Sequence, residues 1–578
     1  MRSRRGPSGA YPQLMRPLTP PYDAIAAGRP AAIPLRGATL LANRLFTKDN
    51  AFPDDEREAF GLHGLLPDAV LTIEEQVELE LERLHRKDDA LERYIGLAAL
   101  QDRNATLFYR VLAENLEELI PIVYTPTVAR ACLEYSHILR KTRGTWIRPE
   151  DAGRIPQILR NGPHEDVRLI VVTDNERILG LGDVGAGGMA ISIGKSALYT
   201  SAGGIYPGLT LPVSLDVGTD NPDLLADPLY LGHREPRLRG PEYDALVEAF
   251  VVGVAEVWPG CVIQWEDFKQ HNALRLLDRY RDRVPSFNDD IQGTAAVVVG
   301  GVLAACRHLE QPLAAQRFLL VGAGAAGIGI ARLLRRAMAE DGMTREAIAA
   351  SLLLFDSGGL VHAGRPDLGD KADFACPIAV ATSLGLSLDP PPSLADVVGG
   401  LAPTVLVGTT GHAGTFGEEA VRRMAEGTDR PVILALSNPT ANAEAIPADL
   451  LAWTEGRAIV ATGSPFAAVD GRVIGQANNV FVFPGIGLAS IVTEASKISM
   501  SMLLAAAQAL AELVTPDRLA AGAIYPPISS LREVSHAVTL AVARDAIATG
   551  LARTSADTVE TDVEAATWWP AYVPYRPA

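Results

Sequence analysis

The sequence predicts an α/β fold: a helical start leading into one α/β unit, then a doubly wound α/β unit closed by C-terminal helices. Three observations predict it. Short apolar runs rich in β-branched residues alternate with helical stretches. The runs end in Gly, Ser, Asn or acidic loops. One of them enters the loop Gly322-Ala323-Gly324-Ala325-Ala326-Gly327 and then a helix.

Taken in order, residues 1–36 are rich in Pro, Arg and Gly and are expected to be a poorly ordered extension. Thr72-Ile73-Glu74-Glu75 reads as a helix start, with a capping Thr and an acidic first turn. Val77, Leu79, Leu81 and Leu84, then Leu91, Tyr94, Leu97 and Leu100, recur at roughly helical spacing up to about Val123, with Pro121 and Pro126 as breaks. Strands are expected at Arg168–Asp174, Leu211–Val217 and Cys261–Trp265, completing a first domain over 37–288. The second domain, 289–552, begins with an apolar helix from Thr294. Its strands are expected at Arg317–Val321, Ser351–Asp356, Thr404–Gly408, Val432–Leu436 and Ala458–Ala461, with Thr493–Leu551 helical. Residues 553–578 form a tail without periodicity.

Composition narrows the function. The chain has 578 residues, enough for two or three domains. Its net charge of −17 opposes binding to nucleic acid or to anionic membranes. The four cysteines lack CxxC or Cys/His spacing, which fits free thiols in a reducing compartment. The basic N-terminus has no apolar segment after it, and the most apolar run, Thr294–Cys306, is too short to span a bilayer. A cytoplasmic protein is expected.

Two acidic clusters carry the chemistry: Glu266-Asp267, just past a strand, and Asp289-Asp290, both in apolar surroundings. Burying carboxylates together is costly unless a cation or protons compensate them. Oxygen-only ligands suit Mg²⁺ or Mn²⁺. Because successive strand residues face opposite ways, Glu266 and Asp267 ligate together only beyond the strand's end. Asp290 completes the set and leaves Asp289 for another partner. The bland alternative is a helix cap and a turn.

The glycine loop follows a strand, opens a helix and precedes Asp356 at a strand end, the arrangement of a Rossmann-type dinucleotide site. A carboxylate there accepts from the ribose 2′-OH and favours NAD, while Ser357 and Lys371 leave NADP as the alternative. Lys195 lies in a Gly-rich apolar segment, where burial lowers a lysine pKa towards that of a base; a solvated surface lysine is the other reading. Tyr124 reads as packing or as a proton donor, and Arg177 as a carboxylate clamp or a surface ion-pair partner. Asn438, before Pro439, is a turn residue or an amide near the cofactor, as are Asn478-Asn479.

Seven segments, in this order, closely resemble the malic enzymes: Ile122–Thr127, Arg177–Asp183, Asp216–Asn221, Gln264–Phe268, Phe287–Gly293, Leu436–Thr440 and Phe483–Gly485. The resemblance covers about residues 60 to 550. It implies oxidative decarboxylation of L-malate to pyruvate and CO₂ with reduction of NAD(P)⁺ and a divalent cation. The alternative is a malolactic enzyme, which retains its NAD and releases lactate. It further implies Lys195 as base, Asp289 as its tuning partner and Tyr124 as the proton donor to the enolpyruvate carbon. Glu266, Asp267 and Asp290 match the metal ligands. Arg177, Asn438 and Asn479 match substrate contacts, and Arg177, Asp290, Gly322, Gly324, Gly327, Asp356 and Asn438 the cofactor side. A homodimer or homotetramer is implied as well.

The sequence departs from the family pattern in places. Ala325 stands where a Glu is frequent. Gly358 replaces a lysine of many NADP-preferring members, whereas some of those members have a lysine near Lys371. Arg83 and Arg103 match arginines that bind an acidic activator in some animal members, with a shorter loop between them here.

Overall fold

The computed structural model describes residues 20–178 and 180–578. Two parallel sheets organise it. The strands are β1 (Ala31–Ile33), β2 (Thr145–Ile147), β3 (Leu169–Thr173), β4 (Thr210–Leu215), β5 (Val262–Trp265) and β6 (Ser286–Asn288). They continue with β7 (Phe318–Val321), β8 (Leu352–Asp356), β9 (Gly359–Leu360), β10 (Val405–Gly408), β11 (Val432–Ala435), β12 (Ile459–Thr462), β13 (Gly475–Gln476) and β14 (Tyr575–Pro577). The first sheet runs β2-β4-β3-β5-β6 and the second β13-β12-β11-β10-β7-β8-β9. Every pairing in them is parallel except β8 with β9. Strands β3, β4, β5, β7, β10, β11 and β12 are buried along their whole length, as expected for sheets covered on both faces.

Strand order reverses at β7, with β8 on one side and β10 on the other. The crevice at such a switch point lies beyond the carboxyl ends of the strands, where the glycine loop is.

The helical start is four helices, Ile73–His85, Ala90–Arg103, Ala105–Glu114 and Leu116–Val123. The first opens with a capping box between Thr72 and Glu75. Pro121 does not break the region: it lies inside Leu116–Val123, close to the helix's end, and removes only its own amide bond.

The helix Thr294–Leu309 continues from a π-turn over Asp289–Gly293. Together they make 21 helical residues, long and apolar enough to cross a membrane, contrary to the shorter span expected from the sequence. Of its most apolar stretch 83% is buried inside the protein, so it serves as a core helix. A Cβ on Gly301 would lie 2.2 Å from the Tyr525 hydroxyl, and one on Gly300 3.1 Å from the Ala507 carbonyl oxygen. The two glycines therefore let the helix Met500–Glu512 and the Tyr525 ring pack closely against this core helix.

Part of the extension expected to be poorly ordered is structured. Residues 1–19 lie outside the described residues, but Ile25, Ala31 and Ile33 are buried, and β1 pairs in parallel with β14 from the tail. Neither strand has a partner nearby in sequence, so periodicity within each segment carried no signal of the pairing.

Candidate active site

The site forms where the carboxyl edges of the two sheets meet. On the helix Met189–Ser201, Lys195 is 1% exposed. Its ammonium donates to Asp289 and lies 3.1 Å from Glu266 Oε1. The Phe483 and Tyr124 rings stand 4.4 Å and 5.3 Å from Nζ. Gly194 permits that approach, because a Cβ there would sit 2.8 Å from the Val123 carbonyl oxygen and 3.5 Å from the Tyr124 ring.

Strand β5 ends at Trp265 and delivers Glu266 and Asp267 at its edge, the latter with a left-handed φ of 56°. Gln264, on the same face as Glu266, donates to Glu266 Oε2 at 2.6 Å and accepts from the Tyr199 hydroxyl. The π-turn presents Asp289 and Asp290 to different partners. Asp289 meets Lys195, and Asp290 Oδ2 accepts from the Asp267 amide at 2.8 Å. Gly293 makes room for the turn: a Cβ there would lie 1.9 Å from Asp289 Oδ1. From the second unit, Asn479 Nδ2 donates to the Asp289 carbonyl oxygen at 3.1 Å and to Oδ2 at 3.0 Å.

Electrostatics revise one expectation. Burial alone pulls the Lys195 pKa down, as the sequence predicts, but Asp289 and Glu266 outweigh it and hold the ammonium well above its usual range. Burial pushes the Glu266 carboxyl well up, against the pull of Lys195. It also lifts Asp290 to about 6, with Lys195 again opposing and Asp289 adding to the rise. The buried Tyr124 phenol is raised well above its usual value and stays protonated.

The three carboxylates expected to ligate a metal adjoin one another without converging. Among the described residues, no three His, Cys, Asp or Glu side chains are close enough to enclose an ion. Both Glu266 oxygens are engaged, one by Lys195 and one by Gln264. The local charge still fits a divalent cation: four carboxylates face one lysine, all donors are oxygen, and the buried Asp289 Oδ1 has no hydrogen-bond partner. Arg177 is exposed, and its amide donates to the Asp267 carbonyl oxygen at 3.2 Å.

In the glycine loop, Gly322 has φ 106°, and a Cβ there would lie 2.7 Å from the Thr409 carbonyl oxygen. A Cβ on Gly327 would lie 1.9 Å from the Gly322 carbonyl oxygen, which explains the close contact of strand and helix. Gly324 is the N-cap of the helix Ala325–Glu340. Asp356 at the end of β8 accepts from Arg365 at 2.7 Å and Lys371 at 2.5 Å. Burial raises its pKa, but these two cations hold it below the usual carboxylate range. Lys371 thus reaches the acid as expected, and Arg365, which no sequence signal marked, joins it. Asn438 Oδ1 accepts from the Ser464 hydroxyl at 2.6 Å.

The sequence reading also missed Glu444. Fully buried, it accepts from the Thr410 amide at 2.8 Å, the Thr410 hydroxyl at 2.9 Å and the Ser437 hydroxyl at 2.5 Å. It thereby ties together the loops that follow β10 and β11. Its position six residues after Asn438 is the one available hint.

Two family models match the chain: "Malic enzyme, N-terminal domain" over residues 101–281 and "Malic enzyme, NAD binding domain" over residues 291–547. The chain belongs to the malic enzyme family. An NAD-dependent malic enzyme of Vibrio campbellii is 44% identical over 553 residues, covering 95% of this chain and 98% of that protein. One from Pseudomonas aeruginosa is 44% identical over 559 residues, covering 95% and 99%. Among solved structures, the Entamoeba histolytica malic enzyme shares the fold with TM-score 0.53 at 24% identity, covering 88% of this chain and 92% of that one. The Pyrococcus horikoshii malic enzyme gives 0.51 at 23%, covering 78% and 89%.

Within this malic enzyme fold, Arg83 and Arg103 are engaged by the chain's own acids. Both contact Glu80, Arg103 at 2.6 Å, and Arg103 also meets Asp49 at 3.2 Å.

Proposed function

We propose that this chain converts L-malate to pyruvate and CO₂ with reduction of NAD⁺ and a Mg²⁺ or Mn²⁺ requirement. The relatives named NAD-dependent malic enzyme support the overall reaction. The observation that carries the residue roles is the buried Lys195 between Asp289 and Glu266, with Tyr124 and Asn479 beside them.

In this reading Lys195 takes the C2 hydroxyl proton. Asp289, which Asn479 keeps in position, contacts the Lys195 amine and serves as its tuning partner. Tyr124, kept protonated by burial, delivers a proton to the enolpyruvate carbon. Arg177 engages the substrate carboxylate, and Asn438 and Asn479 border the substrate and the nicotinamide. Glu266, Asp267 and Asp290 would hold the divalent ion, which when bound supplies Lewis acidity towards charge developing on the C2 oxygen. Gly322, Gly324 and Gly327 let the backbone approach the pyrophosphate, Asp356 faces the ribose, and Arg177 and Asp290 adjoin the cofactor.

A cytoplasmic location fits the four buried free cysteines, and a homodimer or homotetramer completes the reading. The test is incubation with malate, Mn²⁺ and NAD⁺. NADH and pyruvate in equal amounts are expected; lactate without net NADH would replace this reading by the malolactic one.

A further inference from the structure

A second polar cavity, of about 510 Å³, opens behind the active-site helix, with Ser196, the neighbour of Lys195, in its wall. Its wall holds Arg44, Lys141 and Arg143 against one carboxylate, Asp102. Asp102 is already taken up by Arg143 Nη2. The other terminal nitrogen, Arg143 Nη1, is buried and has no hydrogen-bond partner. Arg44 has a single side-chain partner among the described residues, His164 Nε2 at 3.4 Å. Burial, with help from Arg44 and Arg143, pulls His164 down to about 3, so this partner is neutral at pH 7. Arg44, drawn down to about 10 by burial and by Arg143, remains a full cation there.

Two guanidinium groups in one wall, of which Arg44 makes no ion pair among the described residues, are costly unless something compensates them. The preceding segment does not supply the charge, since residues 1–19 contain four arginines (Arg2, Arg4, Arg5, Arg16) and no Asp or Glu. Glu165 lies in the adjoining small cleft and is exposed. The unspent N–H donors of Arg44 form a planar fork that matches a tetrahedral oxyanion. The surplus of two positive charges in the wall matches a dianion.

We infer that this cavity binds a phosphoryl dianion, either free phosphate or the head of a small phosphate ester. The inference is independent of the residue roles proposed for the active site.

The test is calorimetric titration of the Mg²⁺-loaded enzyme saturated with NAD⁺, so that the dinucleotide's own phosphate cradle is filled. Inorganic phosphate and glycerol 3-phosphate are the two probes. Saturable binding is expected. Equal affinities assign the site to free phosphate, and tighter binding of the ester assigns it to an ester. Arg44→Gln is expected to weaken binding at least about tenfold, the loss of one charge-assisted pair, with NAD⁺ affinity unchanged. Lys141→Ala, at an exposed position where folding is not at stake, is expected to weaken it about threefold. No saturable binding to the wild type would overturn the inference, and so would wild-type affinity in both variants.

Discussion

The two sheet edges that meet at the active site are built in opposite ways. The first gathers charge: Glu266, Asp267, Asp289 and Asp290 around one buried lysine. The second confines its charge to one strand end, Asp356 with Arg365 and Lys371 after β8, and is otherwise made of glycines, Thr409, Ser437, Asn438 and Ser464, with the buried acid Glu444 serving as a tie between loops. Moving protons and stabilising developing charge needs groups of opposed charge held out of water. Holding a dinucleotide needs the backbone to come close, which small residues allow. Charge lost from the first edge should therefore cost turnover, and order lost from the second should cost cofactor binding.

The sharpest test is Lys195→Met. It leaves Asp289 and Glu266 without their cation, and kcat is expected to fall about a thousandfold. Chemical denaturation should register a loss of about 3 kcal/mol. Unchanged turnover would remove Lys195 from the chemistry. On the second edge, Glu444→Gln loses part of its hydrogen bonding and is expected to cost about 2 kcal/mol of stability. NAD⁺ KM should rise while kcat holds; a fall in kcat alone would erase the distinction between the edges.

A pH series isolates one group in the first unit. His164 is buried and neutral, with its pKa depressed from 6.5 to about 3. The unfolded chain therefore binds a proton that the folded chain refuses. The stability this group contributes is complete above pH 6.5 and is lost as pH falls towards 3. Between pH 7 and 5 the wild type should lose about 2 kcal/mol more than His164→Gln in urea unfolding. Parallel curves would show that His164 titrates normally.

The smallest effect concerns Asp356, whose charge is offset by Arg365 and Lys371. Lys371→Ala restores repulsion towards a 2′-phosphate and should lower kcat/KM for NADP⁺ about tenfold, with that for NAD⁺ nearly unchanged. Equal losses with both cofactors would place Lys371 outside cofactor selection.

Legibility in the sequence followed the same division. The fully buried central strands were visible as apolar runs, and the glycine loop as a strand–turn–helix pattern. The acidic pairs stood out because their flanks are apolar. The short strands β2, β6, β9 and β13 lack enough residues for any period. The net rise in the Lys195 pKa depends on two carboxylates 71 and 94 positions away, so burial was legible and its compensation was not. Arg365 and Glu444 act through partners fixed by loop geometry, which residue type alone does not reveal.

The pairing of β1 with β14 joins residues 31–33 to residues 575–577. Ala31 donates to the Pro574 carbonyl oxygen at 2.9 Å, and the Tyr575 amide to Glu56 at 2.8 Å. Lys48, paired with Glu56, lies 4.0 Å from the centre of the Tyr575 ring. During synthesis β1 thus waits, without its strand partner, until residues 575–577 have been made. A chain cut short after residue 550 would hold both large sheets and every proposed catalytic residue, yet present an open β edge for another such chain to join.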